Sequence, residues 1–239
     1  DKRIKYFYAK KHTTLYEARN LAIKKSKGEF IAFLDVDDIW LKNKLALKIS
    51  NFKKKKIGLV YSNFYKLNNK KKKLAFNNHL PSGKVTAKII KNYQIGFLTV
   101  ILRKSFLKKK KLFDFNYNLL SDYDFILNFS LKHEFYALNQ PLAYYRIHVN
   151  QLQKKEMNSQ AKQFCRWFKK KKIREKFKRY DLSSIYKKYE YYSLIKEMNN
   201  SKLKLFFKIF KPFSLKNFLK INAIIFLPKK FIFNLIENV

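Results

Sequence analysis

The sequence predicts an α/β fold followed by a helical, strongly basic C-terminal region. Strand-like and helical patterns alternate up to about residue 150, which is typical of helices packed on a sheet. A continuous apolar run at 30–34 (FIAFL) is typical of a strand covered on both faces, as in a parallel sheet. After residue 150 glycine is absent, and helical patterns with lysine runs take over. We therefore predict a domain at 1–150 and a helical basic region at 151–239.

The individual elements follow from hydrophobic spacing and from end signals. A Thr14–Glu17 capping box begins a helix that stops before Gly28, and Ser121 is a candidate cap for a later helix. Leu45 and Ile49 share one face of a helix at 41–52. The other predicted elements are strands at 4–9, 57–65, 99–102, 135–138 and 142–146, helices at 85–92 and 121–132, and a lysine-rich loop at 68–73.

The composition excludes several classes of protein. The 239 residues carry 55 Lys and Arg against 16 Asp and Glu, a net charge of +39, yet 47% are hydrophobic and 18% aromatic. A disordered polycation would lack this core material. A single cysteine excludes a disulfide framework and a cysteine-based zinc site. The positive charge attracts nucleic acids and acidic lipids. The abundant Lys, Asn, Ile, Phe and Tyr also have A/T-rich codons, so codon bias is an alternative cause of the basic composition.

Three of the 16 acidic residues fall within four positions, at Asp35, Asp37 and Asp38. They follow a predicted buried strand, and ligands of open α/β sheets bind at the carboxyl ends of strands. Crowded carboxylates repel one another unless a cation lies among them, so the cluster favours Mg²⁺ or Mn²⁺ holding a diphosphate. The alternative is capping of a helix before Trp40, which would account for one of the three.

Other polar residues give weaker signals. Asp122 and Asp124 begin a predicted helix, where a carboxylate can serve as a general base or simply favour the helix N-terminus. His148 ends the segment at 144–148 (YYRIH), and a lone histidine is more often structural than a ligand. Arg19 and Asn20 lie on an amphipathic helix, whose polar face can be merely solvated.

Two blocks together resemble a known family. Residues 17–20 (EARN) and 27–40 (KGEFIAFLDVDDIW), followed by Lys44 and Leu45, resemble the middle of a family 2 glycosyltransferase with the GT-A fold, a Rossmann-like α/β architecture. Residues 120–125 (LSDYDF) and 141–148 (PLAYYRIH) resemble the later block of the same family. The order and separations of the blocks also match, and the resemblance covers about residues 1–150.

That family moves a sugar from a nucleotide-diphosphate donor to an acceptor hydroxyl, with inversion at the anomeric carbon. The resemblance implies that Asp122 is the catalytic base. It implies that Asp35 and Asp37 form an Asp-x-Asp motif holding Mn²⁺ or Mg²⁺, and that His148 completes the metal site. The residues it assigns to donor and cofactor binding are Arg19, Asn20, Asp35, Asp37 and Asp38.

The sequence also departs from the family pattern. Ser121 stands where the family often has Glu before the base, 12–14 (HTT) replaces an Asn-x-Gly turn, and Ala22 replaces a glycine. The family normally starts with a strand, a helix and a second strand that bind the nucleotide base and ribose. The resemblance implies that Asp1 begins downstream of them, so we expect an N-terminally truncated domain that is inactive and poorly stable alone.

Residues 201–221 place five apolar side chains beside recurring lysines at helical spacing. Such a basic amphipathic helix can lie on an anionic membrane or pack on the catalytic domain. No run of about 18 apolar residues is present in the sequence. We therefore expect a protein that is cytoplasmic and peripheral on the inner face of a bacterial plasma membrane.

The resulting hypothesis is a metal-dependent inverting transferase in surface polysaccharide assembly, such as lipopolysaccharide or capsule. Its expected partners are a nucleotide-diphosphate sugar, a saccharide or lipid-linked acceptor and an anionic membrane, without a specific nucleic acid. Two alternatives stay open. One is a non-enzymatic nucleic-acid-binding protein, which the charge and aromatic content favour but the acidic cluster does not. The other is a degenerate transferase that only binds.

Overall fold

The computed structural model describes residues 1–9, 11–69, 71–107, 112–148, 151 and 156–198. The chain divides into two compact units, 1–189 and 190–239. The helices are α1 (Leu15–Lys25), α2 (Lys44–Ile49), α3 (Thr86–Lys91), α4 (Ser121–Ser130), α5 (Met157–Lys169), α6 (Lys171–Phe177) and α7 (Ser183–Met198). The strands are β1 (Phe30–Ala32), β2 (Ile39–Trp40), β3 (Ile57–Asn68), β4 (Lys71–Leu74), β5 (Ile101–Arg103) and β6 (Glu134–Arg146).

All six strands form one mixed sheet in the order β1-β5-β3-β6-β2, with β4 paired to β3. The pairing of β3 with β6 is parallel, and the other pairings are antiparallel. The predicted α/β class is therefore confirmed, and so is the helical region after residue 150. The apolar run at 30–34 contains β1, for which a parallel neighbour was expected. Its neighbour in the sheet is β5, which lies between β1 and β3 and is antiparallel to β1.

Strand directions determine which loops meet. Strand β1 is antiparallel to β5, and β5 is antiparallel to β3, so β1 runs in the same direction as β3 and β6. The carboxyl ends of these three strands consequently lie at one edge of the sheet. The Asp35–Asp38 loop follows β1, Asn69 follows β3 and His148 follows β6, which brings distant parts of the sequence to that edge.

The central strands carry the core. The first eight residues of β3 are buried, and Leu102 of β5 is fully buried against them. One cluster joins Phe52, Ile57, Val60 and Ile101, with Phe30 packed against it. Burial of each such side chain contributes about 1.5–3 kcal/mol. The sheet edge that holds the polar loops thus projects from a rigid apolar centre.

Several predicted elements differ from the observed ones. Residues 4–9 form no strand, and the side chains of Ile4 and Tyr8 are mostly exposed. The predicted lysine-rich loop at 68–73 is a hairpin, because β3 continues to Asn68 and β4 pairs back onto it. The two short strands predicted at 135–138 and 142–146 are one strand, β6. Ser121 does not cap α4, whose N-cap position is Leu120.

Helix α2 does not bury the face that carries Leu45 and Ile49. Leu45 and Ile49 are each more than 40% exposed, whereas Lys44 and Lys48 are fully buried. The ammonium of Lys44 lies 3.3 Å from the centre of the Trp40 ring, and that of Lys48 donates to the carbonyl of Thr99. Long aliphatic stems allow lysines to fill such positions. Burial lowers the pKa of Lys44 to about 7 and that of Lys48 to about 6.

The predicted amphipathic helix at 201–221 lies outside the described residues. Among the helices of the described ranges, none is long and apolar enough to span a bilayer. The first compact unit includes α5 and α6 as well as the sheet. The predicted domain boundary near residue 150 stays a prediction.

Candidate functional site

The Asp35–Asp38 loop is a tight turn at the shared sheet edge. The amide of Asp38 donates to the carbonyl of Asp35 at 3.1 Å. Residues 39–40 form strand β2, and the next helix begins at Lys44. Helix capping before Trp40 therefore does not explain the acidic cluster, and this alternative is wrong.

Arg146, at the end of β6, fastens this loop. Its Nη2 donates to the carbonyl of Val36 at 3.2 Å, its Nε donates to the carbonyl of Asp37, and its amide donates to Asp38 Oδ1 at 3.3 Å. Gln151 Nε2 in turn donates to the Arg146 carbonyl at 2.7 Å. The side chain and the backbone amide of Arg146 together thus fix three consecutive residues of the loop. The sequence analysis missed Arg146, although it stands two positions before His148 in the quoted YYRIH segment.

His148 reaches the second carboxylate of the cluster. Its Nε2 lies 3.0 Å from Asp37 Oδ2, and both side chains are about 40% exposed. Together with Arg146 they line a cavity of about 370 Å³. The other residues that line this cavity are Leu67, Asn69 and Ile147. A half-exposed carboxylate and imidazole therefore share the opening of one cavity at the sheet edge.

Asp37 and His148 fit a divalent cation. Oxygen and imidazole nitrogen are donors that Mn²⁺ and Mg²⁺ accept. Two neighbouring ligands of an octahedral ion with bonds of about 2.1 Å stand about 3.0 Å apart, as these two atoms do. In the described ranges, no group of three or more His, Cys, Asp or Glu side chains is arranged to hold a metal. The pair would thus share the ion with oxygens from outside these side chains.

Asp35 has a different partner. Arg19 Nη2 donates to both carboxylate oxygens, at 2.7 and 2.8 Å. The Arg19 side chain is only 9% exposed, and its guanidinium lies 4.7 Å from the centre of the Phe97 ring and 5.3 Å from that of Tyr16. Arg19 is therefore a buried cation in an aromatic cage. The alternative of a solvated helix face is wrong for this residue.

Asn20 points to the backbone of a neighbouring segment. Its Nδ2 donates to the carbonyl of Phe113 at 2.8 Å, and its Oδ1 accepts from the amides of Leu112 and Phe113. The observed contacts tie α1 to residues 112–113. Nucleotide binding by Asn20 stays a prediction.

Asp122 lies in the first turn of α4, close to Arg19. Its Oδ1 accepts from the amide of Tyr123 at 2.8 Å. Burial raises the pKa of the Asp122 carboxyl, while the Tyr123 amide and the charge of Arg19 partly oppose that shift. The side chain of Tyr16 also interacts with this carboxylate. Arg19 therefore links Asp122 electrostatically to Asp35, and Tyr16 is a contact that the sequence analysis missed.

Ser121 and Asp124, which lie in the same helical turn as Asp122, have other surroundings. Ser121 is fully buried, and its hydroxyl has no hydrogen-bond partner among the described residues. Asp124 Oδ1 accepts from Trp167 Nε1 at 2.7 Å and from Asn128 Nδ2 at 2.9 Å. Asp124 thus anchors α5 to α4. No local pattern in the sequence indicates this long-range contact.

Asp38 is the buried member of the acidic loop, with 8% of its surface exposed. Burial raises the pKa of its carboxyl to about 7, and the charges of Asp37 and Asp35 add to that shift. The hydrogen bond from the Arg146 amide lowers it. A protonated Asp38 would relieve repulsion inside the loop, and donor binding by Asp38 stays a prediction.

Comparisons with known proteins agree with this picture. The model of the family described as "Glycosyl transferase family 2" matches residues 1–112. The Escherichia coli protein "UDP-Glc:alpha-D-GlcNAc-diphosphoundecaprenol beta-1,3-glucosyltransferase WfgD" is 43% identical over 91 residues, which cover 38% of this chain and 35% of WfgD. The "Putative teichuronic acid biosynthesis glycosyltransferase TuaG" of Bacillus subtilis is 28% identical over 43% of this chain and 40% of its own length.

Among solved structures, residues 1–349 of TarS from S. aureus resemble the chain with a TM-score of 0.48 and 16% identity, over 76% of this chain and 48% of TarS. The matched regions span well under half of the lengths of WfgD and TuaG. The GT-A type of α/β fold expected from the sequence agrees with the family match. Residues 1–112 of the chain are therefore similar to glycosyl transferase family 2.

Proposed function

We propose that the protein is an inverting glycosyltransferase that moves a sugar from a uridine-diphosphate donor to an acceptor hydroxyl. The supporting observation is the convergence of Asp37, His148 and Arg146 at one cavity, with Asp122 linked to the same region through Arg19. The donor nucleotide is inferred from WfgD, whose name specifies UDP-Glc. Asp122 and His148 lie beyond the residues that match the family, so their roles rest on these contacts.

The proposed reaction assigns one task to each group. The acceptor hydroxyl gives its proton to Asp122 as its oxygen forms a bond to the anomeric carbon. The bond from that carbon to the diphosphate breaks, and the nucleoside diphosphate leaves. A carboxylate whose pKa is raised by burial is a better proton acceptor at neutral pH.

The remaining residues organise the donor side. Arg146 holds the backbone of Val36 and Asp37 so that Asp37 and His148 face the cavity together, and the two would hold Mn²⁺ or Mg²⁺. When bound, such an ion neutralises negative charge on the departing diphosphate. Arg19 keeps Asp35 in place with two hydrogen bonds, and Asp38 supports the turn.

The proposed pathway is assembly of a bacterial surface polysaccharide on a lipid-linked or saccharide acceptor. WfgD is named for an acceptor carried on diphosphoundecaprenol, and TuaG is named for teichuronic acid biosynthesis. A lipid-linked acceptor would require the protein to work beside an anionic membrane on its cytoplasmic face. The net charge of +39 favours that location electrostatically.

The test is UDP binding by the full chain, measured by calorimetry with and without Mn²⁺. The proposal, unlike the expectation of an inactive domain drawn from the sequence, requires that wild-type protein binds UDP more tightly when Mn²⁺ is present. Asp37→Ala should remove this response, whereas Asp181→Ala, which removes an exposed carboxylate bonded to Ser183, should retain it. Absence of UDP binding by a folded wild-type protein would contradict the proposal, and binding of UDP without sugar transfer would identify a degenerate transferase.

A further inference from the structure

The surface of α5 and the start of α6 carries an unusual concentration of positive charge. Between positions 157 and 179 the sequence has ten Lys and Arg residues and one acidic residue, Glu175. Glu175 is 3.2 Å from Lys178 and so already has a partner. Six exposed cations form what we call the basic ridge: Lys162, Arg166, Lys169, Lys170, Lys171 and Lys172.

Helix α5 separates its two faces sharply. Its aromatic side chains, Phe164, Trp167 and Phe168, are at most 3% exposed and pack into the domain. Lys162, Arg166 and Lys169 recur three or four residues apart, which places them together on the opposite face. The ridge therefore offers charge to a partner without apolar or aromatic surface.

The ridge borders the segment that leads to the proposed base. Arg166 Nη2 donates to the carbonyl of Asn116, and the ammonium of Lys170 lies 4.6 Å from the centre of the Tyr117 ring. Gln163 Oε1 accepts from the amide of Leu119 at 2.9 Å. These contacts fix α5 against residues 116–119, a few positions before Asp122. The ridge therefore flanks the segment that precedes Asp122 in the chain.

We infer that the basic ridge docks on an anionic phospholipid surface and holds the domain where lipid-linked acceptors lie. The choice of a membrane as partner rests on the proposed function. Lysines near an anionic surface gain about 1 kcal/mol each, without requiring a shaped pocket. Single-stranded nucleic acid is a poorer fit, because the aromatic rings that would stack on its bases are buried.

The test compares two triple variants of the full chain in vesicle flotation. Phosphatidylcholine vesicles with phosphatidylglycerol should bind the wild type, and vesicles of phosphatidylcholine alone should not. Lys169→Gln, Lys171→Gln and Lys172→Gln together should reduce binding by roughly 100-fold, the effect of three cations at about 1 kcal/mol each. The matched control replaces Lys53, Lys54 and Lys55, which are also exposed, and should lose only a few-fold.

Equal losses in the two triple variants would overturn the inference, because net charge would then explain the binding. Lack of vesicle binding by the wild type would also overturn it. So would release of the protein from vesicles by poly-uridylate whose phosphate concentration equals that of the lipid. Thermal unfolding and UDP binding are measured on the same preparations. Retained UDP binding with no vesicle binding refutes the ridge alone, whereas ridge-dependent vesicle binding without UDP binding refutes the proposed transferase and leaves the surface assignment standing.

Discussion

The molecule has two acidic regions that the fold treats differently. The Asp35–Asp38 loop lies at an exposed sheet edge, where Asp35 and Asp37 are each about 40% exposed. Asp35 has a cationic partner from α1, and Asp37 has an imidazole partner from the segment after β6. The first turn of α4 places Asp122 in a drier environment, where burial raises the pKa of its carboxyl. The same side chain is therefore suited to bind cations in one region and to accept a proton in the other.

Asp38 shows that burial, rather than membership of a loop, decides this difference. It belongs to the exposed loop, yet burial raises the pKa of its carboxyl to about 7. Asp124 belongs to the buried turn, yet its carboxylate is used by Trp167 and Asn128. Under the proposed function, Asp37 in the loop binds the metal and Asp122 in the helix accepts the proton, whereas the other two carboxylates serve the fold.

The largest expected effect comes from removing the proton acceptor. Asp122→Asn should lower the rate of sugar transfer by about 10³-fold, because the amide cannot take a proton from the acceptor hydroxyl. UDP affinity should change little. Asp124→Asn, in the same helical turn, is the control and should retain most of the transfer rate. Steady-state kinetics with UDP titrations on both variants makes the comparison, and equal losses would show that α4 is only structural.

The second prediction tests whether the metal is held by Asp37 with His148 or also by Asp35. His148→Ala should weaken the effect of Mn²⁺ on UDP affinity by roughly 10- to 100-fold, because it removes one of two adjacent donors. Asp35→Asn should retain the Mn²⁺ effect, because both oxygens of Asp35 accept from Arg19. Calorimetry over a Mn²⁺ series measures this difference. Loss of the Mn²⁺ effect in Asp35→Asn would place Asp35 among the metal ligands, as the family resemblance implies.

A third prediction tests the electrostatic link between the regions. The charge of Arg19 lowers the pKa of Asp122, so Arg19→Gln should move the acid limb of the pH–rate profile to higher pH. Transfer should fall more at acidic than at alkaline pH, because a smaller fraction of Asp122 is ionised there without the charge of Arg19.

The matched control for Arg19 is Arg103→Gln. Arg103 is similarly enclosed, with its side chain 14% exposed, its Nη1 3.1 Å from Glu29 Oε1 and its guanidinium 5.4 Å from the centre of the Phe30 ring. Its loss should lower stability without moving the pH–rate profile. A shift of the same size in both variants would mean that loosening of the fold, rather than charge, affects Asp122.

Local signals in the sequence predicted local structure well. The Thr14–Glu17 capping box is confirmed by reciprocal hydrogen bonds of 3.3 and 2.8 Å, and the apolar run at 30–34 contains β1. The acidic cluster was identified from its position after a predicted strand, whereas the metal role of His148 was implied by the family resemblance. Such features depend on a few neighbouring residues, so a linear pattern is sufficient to detect them.

Features that depend on distant contacts were missed. Arg146 fastens a loop about 110 positions earlier, and Trp167 bonds Asp124 across 43 positions. The burial of Lys44 and Lys48 in α2 was not predicted, because an amphipathic count treats lysines as solvent-facing. Their stems fill space beside Trp40 and Thr99, and tertiary packing overrides the pattern.

The smallest expected effect, on stability alone, tests whether burial separates Asp38 from its exposed neighbours. The folded-state pKa of Asp38 is raised to about 7 from an ordinary value of 3.8, so the folded protein loses stability as pH rises between these two values. Asp38→Asn removes this loss, and the hydrogen bond from the Arg146 amide can be kept by the amide oxygen. The variant should therefore gain stability relative to wild type by about 2 kcal/mol between pH 5 and pH 8, measured by urea unfolding without divalent cations. Asp37→Asn is the control, because it removes one half-exposed carboxylate from the same loop. If the stability gained by Asp38→Asn does not change with pH, the Asp38 carboxyl is hydrated in solution and all three aspartates of the loop are open to a cation.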